Sequence, residues 1–126
     1  MPLRVLIVDD DPSFRATARR LLRARGLAVA GEASDYKHAL AAVRELAPDG
    51  VLVDVHLPDI DGLEVAEELS RNGIGPQVLL TSSDSGAATA ALAEQHGAVG
   101  FVPKTELAGA DLASYFSRAG TDSDSS

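Results

Sequence analysis

Val51-Leu52-Val53-Asp54-Val55-His56-Leu57-Pro58-Asp59-Ile60-Asp61-Gly62 opens on apolar, mostly β-branched residues and then stops at a carboxylate. Short apolar runs of this kind, without polar alternation, suit strands buried on both faces of a parallel sheet. The run from Gly50 to Val55 has matches on either side. Leu3 to Val8 is apolar apart from Arg4, and Gln77 to Thr81 reads the same way. Val99 to Val102 is shorter, and Leu27 to Ala33 is a weaker strand signal.

Helical stripes lie between these runs. Phe14, Ala18, Leu21 and Leu22 share one helix face, opened by Asp11-Pro12 and closed by Gly26. Tyr36, Leu40, Val43 and Ala47 form a second stripe, ended by Pro48. Leu63, Ala66 and Leu69 form a third, ended by Asn72-Gly73. Ala87 to His96 predicts a fourth helix closed by Gly97, and Leu107 to Arg118 predicts a fifth. Alternation of strand and helix implies an α/β fold, a parallel sheet with helices on both faces. The 126 residues suit one domain, expected over 1–119. Residues 120–126 are polar and expected to be disordered.

Composition removes several classes. The chain has no cysteine, so disulfides and thiolate metal sites are excluded. His38, His56 and His96 show no close metal-ligand spacing. The net charge of −8 argues against direct nucleic-acid binding, which rests on a basic surface. No apolar stretch is long enough for a membrane helix, and the N-terminal run ends in carboxylates where a signal peptide would continue. A cytoplasmic location is expected.

Ligands of open α/β sheets bind beyond the carboxyl ends of the strands. Strand one ends in Asp9-Asp10-Asp11, strand three in Asp54-Val55-His56, strand four in Thr81-Ser82-Ser83 and strand five in Lys104. Three clustered carboxylates, Asp9, Asp10 and Asp54, repel one another and need compensation, for which a hard divalent cation is one solution. Mg²⁺ takes oxygen ligands and is commonly held by one or two carboxylates with phosphate oxygens. Lys104 offers a compact charge for a phosphate oxygen, and Thr81 offers a hydrogen bond. Singly these residues are ordinary: Asp-Asp caps helices, Thr favours strands, and Lys decorates surfaces. Their ordered placement at four strand ends is what points to phosphoryl chemistry.

The segments Val5–Pro12, Val51–Gly62, Leu79–Ser82 and Gly100–Lys104 resemble the receiver domain of two-component response regulators. The resemblance covers residues 3 to about 118 and implies a (βα)5 flavodoxin-like sheet of order 2-1-3-4-5. It implies Asp54 as phosphoacceptor from a histidine kinase or phosphotransfer protein. It implies Asp10 as a direct Mg²⁺ ligand, Asp9 as its support, and the backbone carbonyl of His56 as a further ligand beside Asp54. Thr81 and Phe101 are then the switch pair, and Lys104 pairs with the acceptor carboxylate. His56 and Ser83 stand where the family tunes loss of the phosphoryl group. Pro58 and Gly62 shape the loop after strand three.

Helix four, strand five and helix five are the expected surface for a downstream partner or a homodimer. The chain departs from the family in placing Pro103 before Lys104 and Thr105 after it, so no cis peptide is expected after the lysine. Val-Pro-Lys-Thr-Glu-Leu (102–107) resembles receivers that carry helix-turn-helix output domains.

The resemblance implies a switch rather than an enzyme, with at most self-catalysed phosphotransfer and dephosphorylation. One alternative is a receiver-like interaction module that is never phosphorylated, though such modules typically lose the acidic pair, the acceptor or the lysine. Another is the N-terminal receiver of a longer transcription factor. A Mg²⁺-dependent phosphatase is disfavoured, because His56 occupies the place of its usual second aspartate.

The first helix carries Arg15, Arg19, Arg20, Arg23 and Arg25, a solvated face by base rate and a docking face for an acidic kinase patch by position. Reversing two of these charges is expected to slow phosphotransfer, and the native rate should fall as salt rises. Identical rates at low and high ionic strength would remove the docking role.

Overall fold

A computed structural model describes residues 2–71 and 75–117. Five parallel strands form one sheet: β1 (Arg4–Val8), β2 (Ala28–Ala33), β3 (Gly50–Asp54), β4 (Gln77–Ser82) and β5 (Gly100–Pro103). Their order is β2-β1-β3-β4-β5, the flavodoxin-like topology that the family resemblance implied. The helices are α1 (Pro12–Ala24), α2 (Tyr36–Leu46), α3 (Gly62–Ser70), α4 (Ala90–Gln95) and α5 (Leu112–Phe116).

Period-two alternation builds two cores from each strand. Leu6, Val8, Val51, Val53, Val78 and Leu80 face one side, where Ala39, Val65, Ala66 and Ala93 cover them. Val5, Ile7, Leu52 and Leu79 face the other, beneath Ala18, Leu22, Leu107, Leu112 and Phe116. The central strands are therefore apolar on both faces through their middles, as a sheet covered on both sides requires. Val65, fully buried, takes the central place on α3. Leu63, which the apolar stripe favoured, sits at the edge of that core.

Caps set most helix limits. Asp11 accepts from the Ser13 amide at 2.9 Å and Pro12 begins α1, while Gly26 leaves it at φ +79°. The Asn72-Gly73 stop of the third helix, Arg118, and the 120–126 tail lie outside the described residues.

Two helices differ from expectation. The fourth begins at Ala90, not Ala87, because the Thr89 hydroxyl caps it by accepting from the Leu92 amide at 3.1 Å. Before it, Asp84 closes a local turn by accepting from the Gly86 amide at 2.9 Å. The fifth is not continuous from Leu107. A 3₁₀ segment, Lys104–Gly109, precedes α5, and Ala110 between them is extended at φ −84°, ψ 148°. Leu107 and Leu112 are five positions apart, so an unbroken helix would aim them about 140° apart. The break lets both bury in one core.

Phe116 lies across Gly50 at the base of the sheet. A Cβ on Gly50 would meet the ring at 2.2 Å. Gly50→Ala is therefore expected to lower stability by about 1–3 kcal/mol, read as a reduced urea midpoint with an unchanged slope.

Candidate functional site

The carboxyl edge of the sheet gathers the charged groups. Asp9 follows β1 directly and is fully buried, while its neighbour Asp10 is exposed. Asp54 is the last residue of β3 and is 6% exposed. One carboxylate oxygen from each of these three residues falls within a cluster 4.8 Å across.

Lys104 reaches into this cluster from the end of β5. Its Nζ stands 2.7 Å from Oδ2 of Asp9 and 3.3 Å from Oδ2 of Asp54. The Phe14 ring lies beneath the ammonium, 4.1 Å from Nζ to centroid, a cation–π contact from α1. Backbone amides take the other carboxylate oxygens. The Asp11 amide donates to Asp9 Oδ1 at 2.8 Å, and the His56 amide donates to Asp54 Oδ1 at 3.0 Å.

The balance of charge remains negative. Burial pushes the Asp9 carboxyl above its ordinary value, against the pull of Lys104 and the Asp11 amide, and Asp54 adds repulsion. Burial works against the Lys104 ammonium, but Asp9 and Asp54 more than offset it, and its pKa ends above the usual value. Oδ2 of Asp9 is buried beside the ammonium without an aligned hydrogen-bond donor. An oxygen-only donor set with one such oxygen suits a hard divalent cation. The residues present fit Mg²⁺.

Thr81 is fully buried in β4, one pairing step from Asp54. Its hydroxyl donates to the Val102 carbonyl at 2.7 Å, so it faces β5 rather than the carboxylates. Phe101 is half-buried against the core on the α2–α3 side of the sheet. The side chains of His56 and Ser83 are exposed. The Lys104–Thr105 peptide is trans.

Three contributors were not legible as site residues. Phe14 reads in sequence as one member of an apolar stripe. Arg15 reads as part of a solvated basic face, yet its guanidinium donates to the Asp9 carbonyl at 2.7 Å and pairs with Glu32 at 3.1 Å. Arg19 also pairs with Glu32, and Arg25 donates to the Ala108 carbonyl at 2.7 Å, whereas Arg20 and Arg23 are exposed. Asp59 in the loop after β3 accepts from two amides of α2. The only sequence signal for Phe14 and Arg15 was their place one turn beyond the acidic pair.

A 2-1-3-4-5 sheet with acids, a lysine and a buried threonine at its carboxyl edge is the design of a response regulator receiver. Residues 5–114 match the response regulator receiver domain family, and the chain belongs to it. A protein-glutamate methylesterase/protein-glutamine glutaminase of Myxococcus xanthus is 43% identical over 107 residues, covering 82% of this chain and 30% of that protein. Response regulator MprA of Mycolicibacterium vanbaalenii is 42% identical over 86 residues, covering 68% of this chain and 37% of that protein. A LuxR-family two-component response regulator from Aurantimonas sp. SI85-9A1 superimposes with a TM-score of 0.77 at 33% identity, covering 91% of this chain and 86% of that one.

The chain thus spans well under half of either curated relative, and what it covers is the receiver part. These relatives are bacterial, and phosphorylation with Mg²⁺ is typical of the family. Among the described residues no helix is long and apolar enough to cross a membrane.

Removing the ammonium would leave the buried Asp9 charge uncompensated. Lys104→Met in Mg²⁺-free buffer is expected to cost about 2 kcal/mol at pH 7, somewhat less than for a wholly buried pair. The raised Asp9 pKa means that the folded chain binds this proton more readily than the unfolded chain. The deficit should therefore shrink as pH falls through the folded Asp9 value. Urea unfolding at a series of pH values from 7 down to the acid limb checks this, and a deficit that stays constant across the whole series would refute it.

Proposed function

We propose that Asp54 accepts a phosphoryl group from a phosphohistidine of a histidine kinase or phosphotransfer protein, and that the acyl phosphate switches partner binding. The observation that carries the reading is the seating of Asp54. One oxygen is held by the His56 amide and the other by Lys104, beside the Asp9–Asp10 pair. An Asp54 oxygen attacks phosphorus, the phosphorus–nitrogen bond to the donor imidazole breaks, and that nitrogen keeps the electron pair and is protonated. Such a reaction depends on positioning and charge compensation more than on covalent help from the protein. The chain is a switch in this reading and not an enzyme with a free substrate.

Asp10, Asp9, Asp54 and the His56 carbonyl would hold Mg²⁺. The bound cation neutralises charge on the phosphoryl oxygens. Lys104 then exchanges part of its pairing with the carboxylates for a phosphoryl oxygen. Thr81 gives up the Val102 carbonyl and donates to the same group, and Phe101 follows the space it vacates. His56 and Ser83, both exposed at the rim, set how readily water reaches the acyl phosphate.

The readout is the face formed by α4, β5 and α5, where Phe101, Pro103 and Tyr115 line a groove. It would take a downstream protein or a second copy of the chain. The exposed Arg20 and Arg23 of α1 are the better candidates for kinase docking, because Arg15 and Arg19 are already paired. The cell compartment is the cytoplasm, where the kinase domains act. The greater length of the curated relatives favours a second reading, in which this receiver governs an attached output domain.

Incubation with acetyl phosphate and Mg²⁺, followed by intact mass, tests the central step. A gain of one phosphoryl group is expected, absent in Asp54→Asn and in excess EDTA. No adduct with acetyl phosphate, and no capture of beryllofluoride, would turn the reading to an interaction module that is not phosphorylated.

A further inference from the structure

The loop from Val55 to Asp61 leaves the acceptor strand and enters α3. Its neck is tight. The Gly62 amide donates to the Val55 carbonyl at 2.7 Å, and His56 pairs with Asp61 through an isolated bridge. A Cβ on Gly62 would come within 2.7 Å of the Asp54 carbonyl oxygen, so the start of α3 packs directly against the end of β3.

The tip is held differently. Pro58 and Asp59 are exposed, and only Leu57 and Ile60 lean on the core. Asp59 ties the tip to another element. Its Oδ1 accepts from the Tyr36 amide at 3.1 Å, and its Oδ2 accepts from the Lys37 amide at 3.2 Å. Tyr36 and Lys37 are the first two residues of α2, whose amides have no acceptor within the helix.

α2 already has a local cap. Asp35 accepts from the His38 amide at 2.9 Å through its own side chain. The two aspartates therefore serve different ends. Asp35 closes the helix from the adjacent position, while Asp59 reaches back from the loop that also carries His56.

We propose that Asp59 is a positioning residue for the divalent-cation site. By clamping the loop tip to α2, it fixes the segment that presents the His56 carbonyl. An untethered tip samples many backbone states, and ordering it on metal binding costs entropy. A tethered tip has met that cost during folding, so the carbonyl is ready for the ion. The inference rests on the reading of Asp9, Asp10, Asp54 and the His56 carbonyl as the Mg²⁺ site.

Titration calorimetry of the whole chain with MgCl₂ tests it without reference to phosphorylation. Asp59→Ala is expected to weaken Mg²⁺ binding about 10-fold, the lower end of what outer partners of metal ligands contribute. Asp59→Asn keeps one neutral acceptor oxygen and should weaken binding less than Asp59→Ala does. Asp35→Ala is the control: it should lower the unfolding midpoint through loss of a cap, yet leave the Mg²⁺ Kd within about twofold. Exchange of the Tyr36 and Lys37 amides should quicken in Asp59→Ala.

An Asp59→Ala Kd within about twofold of the parent overturns the proposal, as does an equal shift in Asp35→Ala, because outer-partner effects are larger and local. Unchanged amide exchange also overturns it. A parent chain that binds no Mg²⁺ overturns the metal reading itself, and the positioning role with it. A parent that binds, with an indifferent Asp59, overturns the positioning role alone.

Discussion

Two buried carboxylates, Asp9 and Asp54, share one ammonium, and much of the structure serves that arrangement. Burying charge is costly, and burying like charges side by side is more so. The chain meets this with fixed donors. Lys104 stands between the two acids, and the Asp11 and His56 amides each take a second oxygen. Arg15 holds the Asp9 backbone from behind, and the Phe14 ring lies beneath the lysine. The compensation is incomplete by design of the donor set, since three carboxylates face one cation. That residual charge is what makes the edge receptive to a divalent ion.

The sheet makes the arrangement possible because its interior tolerates so little variation. β1, β3 and β4 are apolar on both faces, so the register of each is fixed by two cores at once. Val8 pairs with Val53, and Asp54 pairs with Thr81. The first polar residue after each apolar run therefore emerges at a set height on the same edge. A single-residue slip would place an acid inside a core, which no nearby cation could offset.

This is why Asp9, Asp10, Asp54 and Lys104 were legible in the sequence: each ends an apolar run, and run ends are the strongest local signal. The strand order came from the family resemblance. Residues that act through distant partners were not legible. Phe14 meets Lys104 across the fold, and Asp59 meets Tyr36 from another loop. No spacing along the chain encodes either pairing. The helix errors have local causes. Alanines at 87 and 88 favour helix, but the Thr89 cap starts α4 later. Leu107 and Leu112 suggested one helix, yet both could bury only if the chain broke at Ala110.

In the switch proposed above, the hydrogen bond from Thr81 to the Val102 carbonyl bears on the resting state. A hydroxyl with no acceptor would drift toward the acidic edge whenever thermal motion allowed. Here the hydroxyl is occupied, and leaving gives up a buried bond to the strand that leads into Lys104. A bond of this kind is worth roughly 1 kcal/mol net, and more when its loss leaves a buried group unpaired. On that scale it would cut spontaneous activation of the proposed switch by about 5-fold. In the proposed switch, background signalling without a stimulus is thus set partly by one neutral contact inside the sheet, beside the acceptor carboxylate.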